Sequence, residues 1–236
     1  MIALLLNTYE PCVPPIQWQQ WQYLEVAEQL GQLHATNWQN TEQLSQFPWL
    51  RRYRWILSRR HVQHAAQQWR RLMVDARFQP LIPSSRYKWL MGYFSLLEGV
   101  ESLLADFPLT MCHGDCHIDN FLRDEQGQLV WADWQEVGVG PGPADVSFFW
   151  QRAFKAGGAV PFEAMTTSYH RSLEAETGKQ ISFVHLRRML GALELWSWLL
   201  IWPDYLMMDA SPQWLPLLFE RIDLLANRFH LRIYQE

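Results

Sequence analysis

Lysine is scarce in this chain: of its 20 Lys+Arg residues only Lys88, Lys155 and Lys179 are lysines. Cysteine is equally thin. Cys12, Cys112 and Cys116 are too few and too irregularly spaced for a disulfide framework, and the last two are spaced CxxxC rather than CxxC. That excludes a disulfide-stapled secreted scaffold and makes a reducing cytoplasm the expected compartment. Positive charge is not in excess either. Twenty basic against 24 acidic residues leave a net charge of −4, without the overall basic character of a nucleic-acid or anionic-membrane binder, so neither is an expected partner. Long apolar runs are missing too: the longest, 192–202, is broken by Glu194 and is about half of the ~20 residues that span a bilayer. The opening Met1–Leu6 is apolar but has no basic flank and meets Asn7, so it reads as a short buried strand, not a signal peptide. There is no internal repeat and no low-complexity tract.

What is present is a large apolar complement. With 236 residues, 49% of them hydrophobic, the chain can bury a substantial core, and global disorder is excluded. Most of the 14 tryptophans must be in that core. Apolar positions recur at helical spacing over 16–36, 58–77 and 86–107, the last ended by Pro108, and again over 143–156, 161–177, 182–202 and 212–231. Gly157-Gly158 and Pro203-Asp204 punctuate the later helices. Between them the texture changes. Leu109–Cys112 reads as a strand, and 121–123 with 129–132 reads as a hairpin around Asp124–Gly127. Gly138, Gly140, Pro141, Gly142 and Pro143 predict a loop that no regular element crosses. The fold class is therefore mainly α with a small β-hairpin insertion. It divides into a hinge strand and connector at 1–15 and a helical lobe at 16–236, with the unusual polar residues at 109–145.

Those polar residues run His113-Gly114-Asp115-Cys116-His117-Ile118-Asp119-Asn120, then Asp133-Trp134, then Asp145. Phosphoryl transfer needs a carboxylate to orient and deprotonate the accepting hydroxyl, and oxygen ligands for the Mg²⁺ that neutralises nucleotide phosphates. Asp115, with Asn120 five residues on, supplies both in one loop, and Asp133 arrives from the end of the second hairpin strand. A neutral Asn oxygen avoids a further negative charge beside the phosphates. His113, next to a buried strand, is expected to play a supporting, hydrogen-bonded role. Asp145 is expected to cap its helix or brace the loop. A second reading takes His113, Asp115, His117 and Asp119 as an alternating metal-hydrolase cluster on one strand face. Gly114 and the loop character of 116–120 count against it.

The segment resembles the aminoglycoside phosphotransferase and choline kinase-like superfamily, with its H-G-D-x-x-x-x-N loop followed after a short hairpin by an apolar-Asp-Trp. His113 through Asn120 and Trp131-Ala132-Asp133-Trp134 match in order and spacing. Gly140 through Asp145 is similar to the family's Gly-x-Pro-x-x-Asp, and Leu30-Gly31-Gln32-Leu33-His34 to the helix after its hinge. Ile118 departs from the proline common in the loop. The resemblance implies a protein kinase-like fold, ATP or GTP as phosphate donor, Asp115 as catalytic base assisted by His113, and Asn120 and Asp133 as Mg²⁺ ligands.

Such a kinase grips nucleotide with an amino-terminal β lobe carrying a glycine-rich loop and a strand lysine. None of the three lysines falls in a strand-like segment, and Met1 to Glu10 resembles the family's hinge strand. The expectation is therefore a carboxy-terminal lobe with the amino-terminal lobe absent, a poor kinase by itself or a binding module derived from one. The acceptor is expected to be a hydroxyl compound, with an aminoglycoside or other amino-sugar, a choline-like amino alcohol, a sugar and a protein serine all open, and with Glu136, Glu194, Trp198, Trp202, Asp204 and Asp209 as candidate contacts for a cationic one. At helical spacing, Trp198 and Trp202 read as core ahead of a cage, and Asp204 and Asp209 read equally as cap and surface residues. A homodimer or partner would cover the apolar hinge face.

Overall fold

The structure, a computed structural model, describes residues 9–208 and 212–233, with side chains through Arg228. The strand expected at 2–6 lies outside the described residues. The chain divides into two compact units, Met1–Tyr53 with Pro108–Arg187 and Arg54–Phe107 with Arg188–Glu236. No helix among the described residues is long and apolar enough to cross a membrane.

In the first unit, α1 (Gln20–Thr36) starts at a reciprocal cap, in which Gln19 and Gln22 each accept the other's backbone N–H. It packs along α7 (Phe162–Thr177), where Ser168 and Ser172 donate to the Leu24 and Glu28 carbonyls. Between them in sequence runs α6 (Pro143–Lys155), with proline in its first turn, where no N–H is needed. The hairpin forms as expected. β4 (Phe121–Arg123) pairs antiparallel with β5 (Leu129–Trp131), and Asp124 closes the turn by accepting the Gln126 and Gln128 N–H groups. The short β1 (Glu10–Pro11) adds to the outer side of β4. Phe121 is fully buried and stacks on Phe149 of α6 with centroids 5.4 Å apart, which fixes the hairpin to the helix. Each such ring contributes roughly 1.5–3 kcal/mol of burial.

The second sheet corrects the sequence reading. Residues 138–143 were expected to form a loop, yet β6 (Gly138–Pro141) is the central strand of a sheet ordered β2 (Arg51–Arg52), β6, β3 (Leu109–Cys112). β6 runs antiparallel to β3 and parallel to β2. Its glycines serve close approach. A Cβ on Gly138 would lie 2.6 Å from the Tyr53 ring and 2.8 Å from the Arg51 carbonyl oxygen. The helix α2 (Thr41–Ser45) and strand β2 were not anticipated, because neither is long enough to establish a period.

The second unit is helical. α3 (Arg59–Val74) begins at Ser58, whose side chain accepts the His61 N–H, and buries Ala65, Trp69 and Leu72. The helix expected over 86–107 is two, α4 (Ser84–Tyr93) and α5 (Leu97–Ala105), separated by a tight 3₁₀ turn where Ser95 takes the Gly92 carbonyl. The helix expected over 182–202 runs as α8 (Phe183–Trp196), widens into a π turn at Ser197–Ile201, and continues as α9 (Trp202–Met207). Pro203 sits in the first turn of α9. It has no N–H to return to the Leu199 carbonyl four residues back, and that carbonyl accepts the Trp69 indole N–H at 3.0 Å. The chain closes with α10 (Leu215–Ile233).

Candidate active site

β3 ends at Cys112 and delivers His113 into a loop anchored on the far side of the hairpin. The His113 ring is buried and used on both edges: Nε2 donates to the Ala132 carbonyl at 2.9 Å, and Nδ1 accepts the Asp115 N–H at 3.3 Å. These bonds select the Nε2–H tautomer. The Trp134 ring lies against the imidazole with centroids 4.5 Å apart. Asn120 closes the loop from its other end. Its Nδ2 donates to the Asp115 carbonyl at 2.8 Å and to Asp115 Oδ2 at 3.2 Å, while its own carbonyl accepts the Ala132 N–H at 2.9 Å. The Ala132 residue is thus held by His113 on one side and Asn120 on the other, and Asp133 follows it directly. Asp133 is exposed and left-handed (φ 57°, ψ 65°), an uncommon conformation for a residue with a side chain. The Asp115 carboxylate is 27% exposed and lies 3.4 Å from His117 Nε2.

A buried relay holds the start of this loop. Asp145, on the first turn of α6, accepts the His113 N–H at 2.7 Å and the Gly114 N–H at 3.0 Å. His34 Nε2 approaches the same carboxylate at 3.2 Å, and Tyr169 OH meets His34 Nδ1 at 2.9 Å. Burial raises the Tyr169 phenol well above its ordinary pKa, so it remains an O–H donor to Nδ1, which leaves the Nε2 proton for Asp145. The bracing role expected of Asp145 is therefore present in detail. Cys112 and Cys116 lie beside it, their thiols pushed strongly up by burial.

Tyr53 escaped the sequence reading altogether. It follows β2, its N–H donates to the Val139 carbonyl at 2.9 Å, and its hydroxyl donates to the Glu136 carbonyl. Gly114 has φ +86°, and a Cβ there would collide with that hydroxyl. Tyr53 thereby packs against both the 113–115 loop and the 134–136 turn after Asp133. A lone tyrosine between short elements leaves no periodic signal by which to find it.

The structure thus gathers His113, Asp115, Asn120 and the backbone preceding Asp133 in one place. The other candidates fare differently. Glu136 pairs with Arg51 at 2.6 Å. In the second unit, Trp198 and Trp202 are 0% and 3% exposed and pack with ring centroids 4.8 Å apart and planes tilted by 36°, so they are core and present no open indole face. Glu194 is buried and held bidentately by Arg221 at 2.7 and 2.6 Å. Asp204 accepts from His64 at 2.9 Å and Gln68 at 2.6 Å. Asp209 lies outside the described residues. Nor does the alternating His113, Asp115, His117, Asp119 set converge, since 118–120 is a 3₁₀ turn and both His113 nitrogens are engaged. Among the described residues, the one group of three or more His, Cys, Asp and Glu with ligand atoms all within 4.8 Å of one another is His34, Cys112 and Asp145, at the buried relay.

The sequence profile described as "Phosphotransferase enzyme family" matches residues 15–179, which include the whole loop, the hairpin and the relay. The chain belongs to the phosphotransferase enzyme family. Solved structures similar to this family member include a choline kinase from Cryptosporidium parvum Iowa II, 11% identical with a TM-score of 0.51, covering 98% of this chain and 70% of that one. Choline kinase LicA from Streptococcus pneumoniae is 13% identical with a TM-score of 0.49, covering 92% and 67%. An aminoglycoside-3'-phosphotransferase of type VIII is 21% identical with a TM-score of 0.41, covering 78% and 66%. The chain spans about two thirds of the length of each. At such identities the C. parvum enzyme shares its fold. No curated protein sequence matches the chain.

Proposed function

We propose that the chain carries the catalytic lobe of a small-molecule kinase that transfers the γ-phosphoryl group of ATP or GTP to a hydroxyl. The observation that carries this reading is the convergence on Ala132: His113 and Asn120 grip it from two sides and bring Asp133 to the loop that holds Asp115. In this reading Asp115 accepts the proton of the acceptor hydroxyl as its oxygen bonds to the γ-phosphorus and the nucleoside diphosphate leaves. His113 is a positioning residue, because neither of its nitrogens is available for proton transfer. Asn120 and Asp133 fit Mg²⁺ in donor chemistry, offering an amide oxygen and a carboxylate. Both described side-chain hydrogen bonds of Asn120 use Nδ2, which leaves Oδ1 for a cation. When bound, the ion would neutralise phosphate charge.

None of the described strands carries a lysine: Lys88 lies on α4, Lys155 on α6 and Lys179 after α7. A strand lysine and a phosphate-covering loop do much of the nucleotide positioning in kinases. We therefore infer that the chain by itself turns over slowly. A coupled assay of nucleoside diphosphate release over a panel of hydroxyl acceptors tests the reading. Asp115→Asn and Asp133→Ala should each lower whatever transfer is seen by about 100-fold or more. Transfer indifferent to both substitutions would refute the assignment. Micromolar Mg·ATP binding by the chain, lost in Asp133→Ala, would overturn the inference of weak nucleotide grip.

A further inference from the structure

Beside the catalytic loop lies a cavity of about 370 Å³, within the size range of small-molecule sites. Its apolar part comes from Pro14, Pro15, Ile118 and Ala156, and its charged wall from His117, Asp119, Arg152 and Lys155. Arg152 and Lys155 are three apart on the last turn of α6, hence on one face of the helix. Cations there also complement the negative end of the helix dipole. Dipole complementarity does not explain why they share a cavity with the loop that bears Asp115. The single carboxylate on the wall, Asp119, lies 3.2 Å from His117 Nδ1. Next along the loop, His117 Nε2 lies 3.4 Å from Asp115 Oδ2. One side chain therefore separates the cavity from the proposed base.

Of the residues that suggested a cationic acceptor, Asp209 lies outside the described residues, Glu136 pairs with Arg51, and the others are engaged within the second unit. Trp198 and Trp202 are packed shut, Glu194 is neutralised by Arg221, and Asp204 is held by His64 and Gln68. We propose that the acceptor is anionic: a small hydroxyl compound bearing a phosphate monoester or carboxylate, which Arg152 and Lys155 hold in this cavity while His117 borders its approach to Asp115. This rests on the phosphotransferase reading and names the substrate class for the same site. Guanidinium and ammonium groups make charge-assisted hydrogen bonds to such anions, and the apolar wall accepts a carbon skeleton.

Cys12 provides a reporter. It lines the cavity and is partly exposed, whereas Cys112 and Cys116 are buried, so native-state alkylation reads this site alone. The full chain is alkylated with a maleimide alone and with three anionic probes, glucose 6-phosphate, glycerol 3-phosphate and glycerate. Glucose, choline, inorganic phosphate and ADP are run in parallel, and affinities are taken by calorimetry. At least one organic anion should protect Cys12. Its affinity should fall about tenfold with each of Arg152→Gln and Lys155→Gln, the factor that 1.4 kcal/mol represents, with Arg152→Lys retaining most of it and the melting temperature unchanged. Failure of all three anions to protect Cys12 would overturn the proposal, as would equal protection by glucose or choline. Protection by ADP alone would assign the basic pair to the nucleotide, and inorganic phosphate binding as tightly as every organic anion would reduce the cavity to a bare anion site; either result overturns the acceptor claim. Asp115→Asn separates the two readings. It should abolish transfer yet leave protection intact, and protection by an organic anion in a wild-type chain without any transfer would retain the anion site while sinking the kinase assignment.

Discussion

The Asp145 relay offers the sharpest test of how the site is held together. Asp145→Ala removes one carboxylate that accepts two backbone N–H groups, at 2.7 and 3.0 Å, and faces His34 at 3.2 Å. Asp145 is 3% exposed and His34 and His113 are fully buried, so water cannot readily replace the lost acceptor. Hydrogen bonds to a charged acceptor contribute about 1.5–3 kcal/mol, and an orphaned buried donor costs about 1–3 kcal/mol. These overlap and do not simply add, so the expected loss is about 4 kcal/mol, in the range for breaking one side of a buried charged cluster. With an m-value of about 3 kcal/mol/M, the urea midpoint should fall by about 1.3 M. Asp145→Asn is the finer probe. It keeps one carbonyl oxygen for one loop N–H but turns an NH₂ group toward another donor, so it should recover less than half of the loss. Equilibrium urea unfolding followed by tryptophan fluorescence gives both numbers. A midpoint shift below about 0.3 M for Asp145→Ala would refute the idea that this carboxylate holds the loop.

Two further outcomes follow from the geometry. Gly138→Ala should destabilise by about 2–3 kcal/mol, because its Cβ meets the Tyr53 ring and the Arg51 backbone. Gly127→Ala, with φ +75° but nothing within 4 Å, should cost only the roughly 1 kcal/mol of a left-handed alanine; equal melting shifts for the two would argue against close approach as the reason for glycine in β6. The Asp75 carboxyl, hydrogen-bonded by Arg77, is lowered from 3.8 to about 2. A depressed carboxylate stabilises the fold above its unfolded pKa and loses that contribution as pH falls from about 4 through about 2. An NMR titration should place its midpoint near 2, and Arg77→Ala should return it toward 3.8.

The polar segment of the candidate site was legible because its information is local. His113, Asp115 and Asn120 lie within eight residues, and a short hairpin returns Asp133 to them, so spacing alone placed the polar groups in one loop. Helical periods were equally readable where they ran long, as in α1, α3 and α7. They failed where the backbone changed pitch for too few residues to shift the apolar pattern. The 3₁₀ turn at 94–96 and the π turn at 197–201 both keep apolar residues facing inward.

What the amino-acid sequence determined by itself was the helical character, the hairpin, the gathering of His113, Asp115 and Asn120 in one loop, and the family. Tertiary structure decided the meaning of residues whose partners are far along the chain. Glycines at 138 and 140 look like loop breakers until Tyr53 and Arg51 are seen filling the space above them. His34, Asp145 and Tyr169 are scattered over three helices and become one relay only when α1 packs on α7 and α6. Trp198 and Trp202 read from their helical spacing as core ahead of cage, and their burial bears the core reading out. In the same way, Arg152 and Lys155 read as ordinary helix-end cations. Only the folding of the connector at 12–15 and of the 113–120 loop against the end of α6 places them on the wall of an open cavity, because a cavity belongs to surfaces brought together and has no signature in the order of residues along any one of them.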